Sequence, residues 1–328
     1  MTATSAGPRI VSLVVPALNE ARNVPGLLAR IAELRGAHTD YVFELVLIDD
    51  GSSDGTADAL VSSAPAQLQV VVVQLARTFG SHQAISAGLR HCTGDCAIVL
   101  GADSQEPPEL VAHFLEDWEQ GSDVVWGIRR TRTRSWRSEL PSKLFSYVFT
   151  RYADLANYPA EGPSGILLDR QVIDQLNLLG EHNRNVLALV AWLGYHQTRR
   201  PYDQLPREHG ESSWTVRKMV KLAADSLLAF SSMPLRTASY AGILSALAGL
   251  AYAAFLMVRA AFGVQTPSGW PTLLVVVLLV GGLQLTMIGI IGEYVWRVAD
   301  EVRQRPLYVV RKVSRVTPAT AEKGRETA

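Results

Sequence analysis

"ELVLIDD", residues 44 to 50, runs directly into "GSSDGTADALVSSA", residues 51 to 64. An apolar, β-branched run of this length reads as a buried strand. It ends in two carboxylates, turns through glycine and serine, and passes into a segment of helical character. The same succession recurs on either side. "IVSLVVP" (10 to 16), "QVVVVQLA" (69 to 76) and "CAIVLGA" (96 to 102) read as further strands, and "NVPGLLARIAELR" and "SHQAISAGLRHC" as intervening helices. This alternation predicts an α/β fold with a mostly parallel sheet covered by helices. Ligands of such sheets bind in the crevice at the carboxyl ends of the strands, so the loops after the strands are where function is sought.

Composition sets the outer bounds. With 328 residues, 48% hydrophobic and 19% charged, the chain accommodates one large domain and a smaller one. Zero formal net charge gives no bulk attraction to nucleic acid, which is not expected as a partner. The apolar excess lies near the C-terminus, where residues 237 to 258 and 272 to 292 carry no charged side chain. Each meets the ~20-residue length of a membrane-spanning helix. The loop between them lacks lysine and arginine, whereas Arg236 precedes the first span and Arg297, Arg303, Arg305, Arg311 and Lys312 follow the second. Both termini are therefore expected in the cytoplasm of a multi-pass protein of the cell (inner) membrane, with Arg259 snorkelling at the far side. "MTATSAGPRI" has no apolar core of a cleaved signal. Cys92 and Cys96 lack a second ligand pair and read as structural thiols.

Three predicted strand ends carry polar clusters: "PALNEARN" with Pro16, Leu18, Asn19 and Glu20; "DDGSSDGT" with Asp49 and Asp50; and "GADSQEPPE" with Ala102, Asp103 and Gln105. Asp54, Asp58 and Glu109 suit helix starts and are assigned there. Glu20, Asp49 and Asp103 would converge on one crevice. Neither G-x-G-x-x-G after the first strand nor G-x-x-x-x-G-K-S/T occurs, which disfavours a dinucleotide oxidoreductase or a P-loop NTPase. An acidic crevice without a phosphate-cradling glycine loop suits Mg²⁺ held between one or two carboxylates and substrate phosphates.

"VVPALNEARN", "LIDDGSSDGT", "GADSQEPPEL", "DVVWGIR", "REHGESSW", "SSMPLR" and "GEYVWRVADEVRQRPLYVV" occur in this order from about Ile10 to Val313. Together they resemble the polyisoprenyl-phosphate glycosyltransferases of glycosyltransferase family 2, the dolichol-phosphate mannose synthase-like and bactoprenol glucosyltransferase-like enzymes. The resemblance implies a GT-A catalytic domain over residues 8 to 212, interfacial amphipathic helices over 213 to 235, a two-helix transmembrane domain over 236 to 298 with spans near 237 to 258 and 272 to 296, and a cytoplasmic tail over 299 to 328. It implies inverting transfer of a sugar from a UDP- or GDP-sugar to undecaprenyl or dolichyl phosphate, with Mg²⁺ or Mn²⁺, for glycosylation outside the cytoplasm. A homo-oligomer is implied by the family alone.

Position by position, the resemblance places Pro16, Leu18, Glu20 and Asp49 at the donor's base and ribose. Ala102, Asp103 and Gln105 fall at its diphosphate, with Asp103 and Gln105 on the metal. Arg129 falls near the phosphates of donor and acceptor, and Arg207 and Ser213 on the donor side of the segment before the membrane. The basic and aromatic stretch of residues 128 to 144 itself offers Arg137, Ser142 and Lys143 as acceptor contacts, and Glu161, with Ser164, falls in a segment where relatives carry runs such as Gly-Asp-Phe-Arg. Asp103, Arg129 and Glu161 form the implied catalytic set. The chain also departs from the family: Gly101-Ala102-Asp103 replaces Asp-Ala-Asp, Ser213 stands where lysine is common, and "EGPSGILL" lacks the family's arginine. These departures keep open a catalytically silent relative that binds nucleotide-sugar or lipid phosphate as a partner. A processive polysaccharide synthase is disfavoured, because Q-x-x-R-W is absent. Two further residues read as structural: Glu293 as an i,i+4 partner of Arg297, and His82 as a helix-start residue.

Overall fold

A computed structural model describes residues 8–130, 158–159, 163–181, 184–205, 233–262 and 269–317. They fall into two units. One holds the sheet and its covering helices, with the segment from Pro306 onward. The other holds two long apolar helices.

In the first unit the four runs form strands β1 (Arg9–Ala17), β2 (Tyr41–Asp49), β3 (Gln69–Leu75) and β4 (Cys96–Val99). They alternate with helices α1 (Val24–Ala37), α2 (Thr56–Ser63) and α3 (Ser81–His91), and α4 (Pro108–Glu119) follows β4. β1 pairs in parallel with β2 on one side and β4 on the other, and β2 pairs in parallel with β3. The chain thus reverses its direction of strand addition at β1, which opens a crevice at the carboxyl edge.

The sequence expectation omitted the rest of the sheet. β5 (Val124–Arg129), β6 (Pro163–Asp169), β7 (Gln197–Tyr202) and β8 (Val310–Val316) complete the order β7-β5-β6-β4-β1-β2-β3-β8, with α5 (Arg170–Leu178) and α6 (Val186–Leu193) between β6 and β7. β6 runs antiparallel to both β4 and β5, while β7 returns parallel to β5. The sheet is therefore mixed but mostly parallel. Residues 299–328, expected as a tail, contribute a strand: β8 pairs antiparallel with β3, Val73 opposite Val313. Its valines at 310, 313 and 316 do not alternate strictly and Val313 remains exposed, so an edge strand held by backbone pairing escaped a period-two pattern. β4 is shorter than expected, because the chain leaves the ladder after Val99 to build the acidic loop.

Leu13, Val15, Leu45, Leu47, Val70, Val72 and Ile98 bury one face of the sheet beneath α1, α2 and α4. Val14, Val46 and Ile48 are equally buried on the other face. Cys92 and Cys96 are buried free thiols, as expected, and burial raises both pKa values.

In the second unit, α7 (Met233–Ala261) and α8 (Trp270–Val302) each contain a stretch long and apolar enough to cross a membrane, Thr237–Arg259 and Val275–Val302. Gly242 of α7 meets Met287 of α8. Arg259 does not stand free; its guanidinium lies over the Phe255 ring at 5.8 Å. Glu293 pairs with Arg297 at 3.4 Å, as its spacing predicted.

The turn after β2 depends on Gly51. Its φ is +80°, and an added Cβ would lie 2.7 Å from the Arg77 carbonyl carbon and 2.8 Å from the Thr78 nitrogen. Gly55, also at positive φ, has open space around its Cα. Gly55→Ala is expected to cost about 1 kcal/mol of backbone strain, and Gly51→Ala distinctly more, because backbone must also move. Thermal denaturation of both variants in detergent checks the order.

Candidate active site

The sheet register brings the strand ends together. Ala17 stands opposite Asp49, and the Leu100 N–H continues the ladder by donating to the Val14 carbonyl at 3.1 Å. Pro16, Leu18, Glu20, Asp49, Ala102, Asp103 and Gln105 accordingly occupy one edge, with Leu18 exposed and Asp49 buried. Arg129 ends β5 at the same edge, opposite Tyr202 of β7, and Ser164 is the second residue of β6 there. Glu161, Arg207, Ser213, Arg137 and Ser142 lie outside the described residues.

On the β1–β2 side the loops are tied to each other. The Asn19 N–H donates to Ser52 Oγ at 2.9 Å, and Asn19 Oδ1 accepts from the Ser53 N–H at 2.9 Å. Asn19 itself has φ +58°, a conformation unusual for a residue with a side chain. The Glu20 N–H donates to Thr56 Oγ1, and the Glu20 carboxylate accepts from the Asn23 amide. Asp54 is structural, as expected: it accepts from the Thr56 N–H and from the Ala21 N–H, joining both loops. Asp49 accepts from the Ser52 N–H at 2.8 Å. Its neighbour Asp50 accepts from the Phe79 and Gly80 N–H groups at 2.7 and 2.9 Å, which ties the β2 turn to the loop after β3. Burial raises the Asp50 pKa against those two bonds, with the Asp49 charge adding to the rise.

On the β4 side the chain turns sharply. Ser104 has φ +52°, and its carbonyl accepts from Arg30 Nη1 at 2.5 Å, which anchors the loop to α1. Gly101 lacks the carboxylate of the family pattern, and the space at its Cα is used: an added Cβ would lie 2.7 Å from Asp103 Oδ1. Beneath it sits a carboxylate that the sequence reading passed over. Glu106 is only 8% exposed and accepts from the Gly101 N–H at 3.2 Å. Burial, followed by the Asp103 charge, pushes its pKa up to about 7, against the pull of that N–H and of Arg129. Ala102 is buried in the core, so it can offer a ligand only backbone.

A polar chain crosses from β5 to this loop. Arg129 Nη1 donates to Gln204 Oε1 at 3.3 Å, Gln204 Nε2 donates to Gln105 Oε1 at 2.8 Å, and Gln105 Nε2 reaches the Leu205 carbonyl at 3.5 Å. Tyr202 shares a hydrogen bond with Ser164, and its phenol is raised by burial and then by the Glu106 charge. Arg129 Nε is buried without a hydrogen-bond partner among the described residues. A buried, unanswered donor on a cation is costly, and an anionic ligand would satisfy it. Glu106, Gln204 and Tyr202 are the residues that sequence reasoning missed. The only signal in the sequence was their place at or after strand ends, and β7 was not anticipated.

A divalent cation fits these residues only as a shared ligand. Among the described residues no group of three or more His, Cys, Asp or Glu could form a cage. Asp103 and the amide oxygen of Gln105, with a ligand's phosphate oxygens and water, match what Mg²⁺ or Mn²⁺ accepts, and the orphan Arg129 donor faces the same need for an anion.

Comparison with known proteins defines a family. Residues 12–176 match the Glycosyl transferase family 2 model. A SfII prophage-derived bactoprenol glucosyl transferase of Shigella flexneri is 32% identical over 310 residues, covering 94% of this chain and 99% of its own. An undecaprenyl-phosphate 4-deoxy-4-formamido-L-arabinose transferase of Pseudomonas syringae is 34% identical over 319 residues, covering 95% and 93%. A glycosyltransferase of Synechocystis is 36% identical over 302 residues, covering 92% and 94%. Among solved structures, a mannosyltransferase of Pyrobaculum calidifontis in complex with GDP-Man and Mn²⁺ gives a TM-score of 0.44 at 18% identity over 87% of this chain and 88% of that one. The chain belongs to glycosyl transferase family 2. It is a glycosyltransferase with a GT-A-like mixed sheet.

Glu106 has a stability signature. An ordinary glutamate titrates near 4.5 and the folded one at about 7, so between these values the folded state holds the proton more tightly than the unfolded chain. Stability therefore falls as pH rises from about 4.5 to 7 and levels off above, by up to about 3 kcal/mol. Glu106→Gln removes this loss. Its melting midpoint relative to the wild type is expected to be higher at pH 8 than at pH 5, and thermal scans at both values check it.

Proposed function

We propose that the protein transfers a sugar, with inversion, from a UDP- or GDP-sugar to a polyprenyl phosphate such as undecaprenyl or dolichyl phosphate, making a lipid-phosphate sugar for use outside the cytoplasm. The observation that carries this reading is the half-buried Arg129, whose buried Nε–H has no hydrogen-bond partner among the described residues, standing at the carboxyl edge beside the Asp103 loop. The named acceptor lipids of the Shigella and Pseudomonas relatives support the lipid class. The two apolar helices support a multi-pass protein of the inner membrane with both termini cytoplasmic, and with it a lipid acceptor delivered in the bilayer.

The chemistry asks little of a base. A phosphate monoester has its second pKa near 6 and is largely ionised at neutral pH. One of its oxygens attacks the anomeric carbon as the bond to the donor diphosphate breaks, and the configuration inverts. The protein's task is to align the two phosphate groups and to accept the charge of the departing nucleoside diphosphate. Pro16, Leu18, Glu20 and Asp49 hold the nucleoside, and Ala102 offers backbone to the diphosphate. Arg129, placed between donor and acceptor phosphates, offsets their repulsion; Arg207 and Ser213 serve the donor, Arg137 and Ser142 the acceptor, and Glu161 the reacting centre. When bound, Mg²⁺ or Mn²⁺ held by Asp103 and Gln105 supplies further charge neutralisation at the diphosphate.

Purified protein incubated with radiolabelled UDP- and GDP-sugars, Mn²⁺ and a short-chain polyprenyl phosphate should move label into the organic phase. Asp103→Ala is expected to lower that transfer about 100-fold or more. No transfer from any donor, despite nucleotide binding, would contradict the proposal.

A further inference from the structure

The amide of Gln204 joins two groups that the proposed reaction uses separately. Its Nε2 donates to Gln105 Oε1 at 2.8 Å, and its Oε1 accepts from Arg129 Nη1 at 3.3 Å. The orientation of Gln105 follows from its other end. The Leu205 carbonyl can only accept, so the Gln105 group 3.5 Å from it is the NH₂, and the oxygen is left facing Gln204. Gln204 and Leu205 together therefore fix which end of the Gln105 amide is presented at the β4 loop. That end is the oxygen, the one atom of the side chain able to ligate a cation. It has two acceptor sites and can keep the Gln204 bond while a second partner binds.

Gln204 belongs to a strap laced across the carboxyl edge. The Leu205 N–H donates to the Gln105 carbonyl at 3.0 Å, the Arg130 N–H to the Tyr202 carbonyl at 2.9 Å, and Arg130 pairs with Asp203 at 3.4 Å. Each of these bonds reaches either the β4 loop or the end of β5, and the Tyr202 phenol adds one to Ser164 of β6. Within it Gln204 is the residue whose side chain touches both.

We propose that Gln204 is a positioning residue, which acts through Gln105 and Arg129 to present an amide oxygen and a guanidinium together to the nucleoside diphosphate and its cation. The inference rests on the donor-site reading given above. Removing Gln204 frees the Gln105 amide to turn over, so its cost should depend on Gln105 being present.

A double-mutant cycle with Gln105→Ala and Gln204→Met in the full-length protein tests this. Methionine keeps the volume and removes both hydrogen-bonding groups. The readout is the affinity for UDP and for GDP in the presence of Mn²⁺, by titration calorimetry, which requires no turnover. Gln204→Met is expected to weaken binding of the nucleotide the wild type prefers by about threefold to tenfold, and to have no further effect once Gln105 is alanine. An equal loss in both backgrounds, or no loss while Gln105→Ala does weaken binding, would overturn the role of Gln204 and leave the donor site standing. No effect of Gln105→Ala, or no nucleotide binding by the wild type, would overturn the donor-site reading and this inference with it.

Discussion

Parallel pairing of β1 with β2 and β4 is the constraint on which the site depends. Backbone bonds place Ala17 beside Asp49 and carry the β4 ladder one residue further, to Leu100. A one-residue slip would turn every core valine and leucine of these strands to the wrong face. The buried set of Leu13, Val15, Leu45 and Leu47 on one face and Val14, Val46 and Ile48 on the other therefore fixes where the three polar loops emerge. Packing decides the position of the chemistry before any polar contact is made.

The two edges of the sheet treat buried charge differently. At the amino edge, Glu44 is 1% exposed and is met by Ser12, Gln69, Thr93 and the Gly94 N–H. Its hydrogen-bonding capacity is filled within the protein, as a structural carboxylate requires. At the carboxyl edge the account is left open. Glu106 is met only by the Gly101 N–H and its own, beside a like charge, and Arg129 keeps a donor without a partner among the described residues. Asn19 and Ser104, at positive φ, hold the loops beside these groups. Unsatisfied groups and unusual backbone at one edge are what a site shaped for a charged ligand looks like, and the fold stabilises them through the satisfied core beneath.

Much of this was legible in the sequence because it is periodic. The four valine- and leucine-rich strands, the helices between them and the two apolar helices were all announced by hydrophobic runs. So were the acidic strand ends, because their residue types are unusual beside buried strands. β5 to β8 were not announced: β7, "QTRRPY", is polar, and β8 spaces its valines by three. Without β7 nothing placed Tyr202 and Gln204 beside Arg129. Gly101 read as a missing carboxylate; in three dimensions its vacant Cβ position is taken up by Asp103, with Glu106 beneath. That substitution of one carboxylate's surroundings for another's is a matter of packing, which no local pattern records.

On the proposed function, the carboxyl edge around Asp103 and Arg129 binds a nucleoside diphosphate together with a divalent cation. Electron paramagnetic resonance of Mn²⁺ tests it directly. With UDP or GDP present, the wild-type protein should remove Mn²⁺ from the free pool beyond what the nucleotide alone removes, and Asp103→Asn should abolish that increment. Equal Mn²⁺ uptake by wild type and Asp103→Asn would contradict a cation site at Asp103.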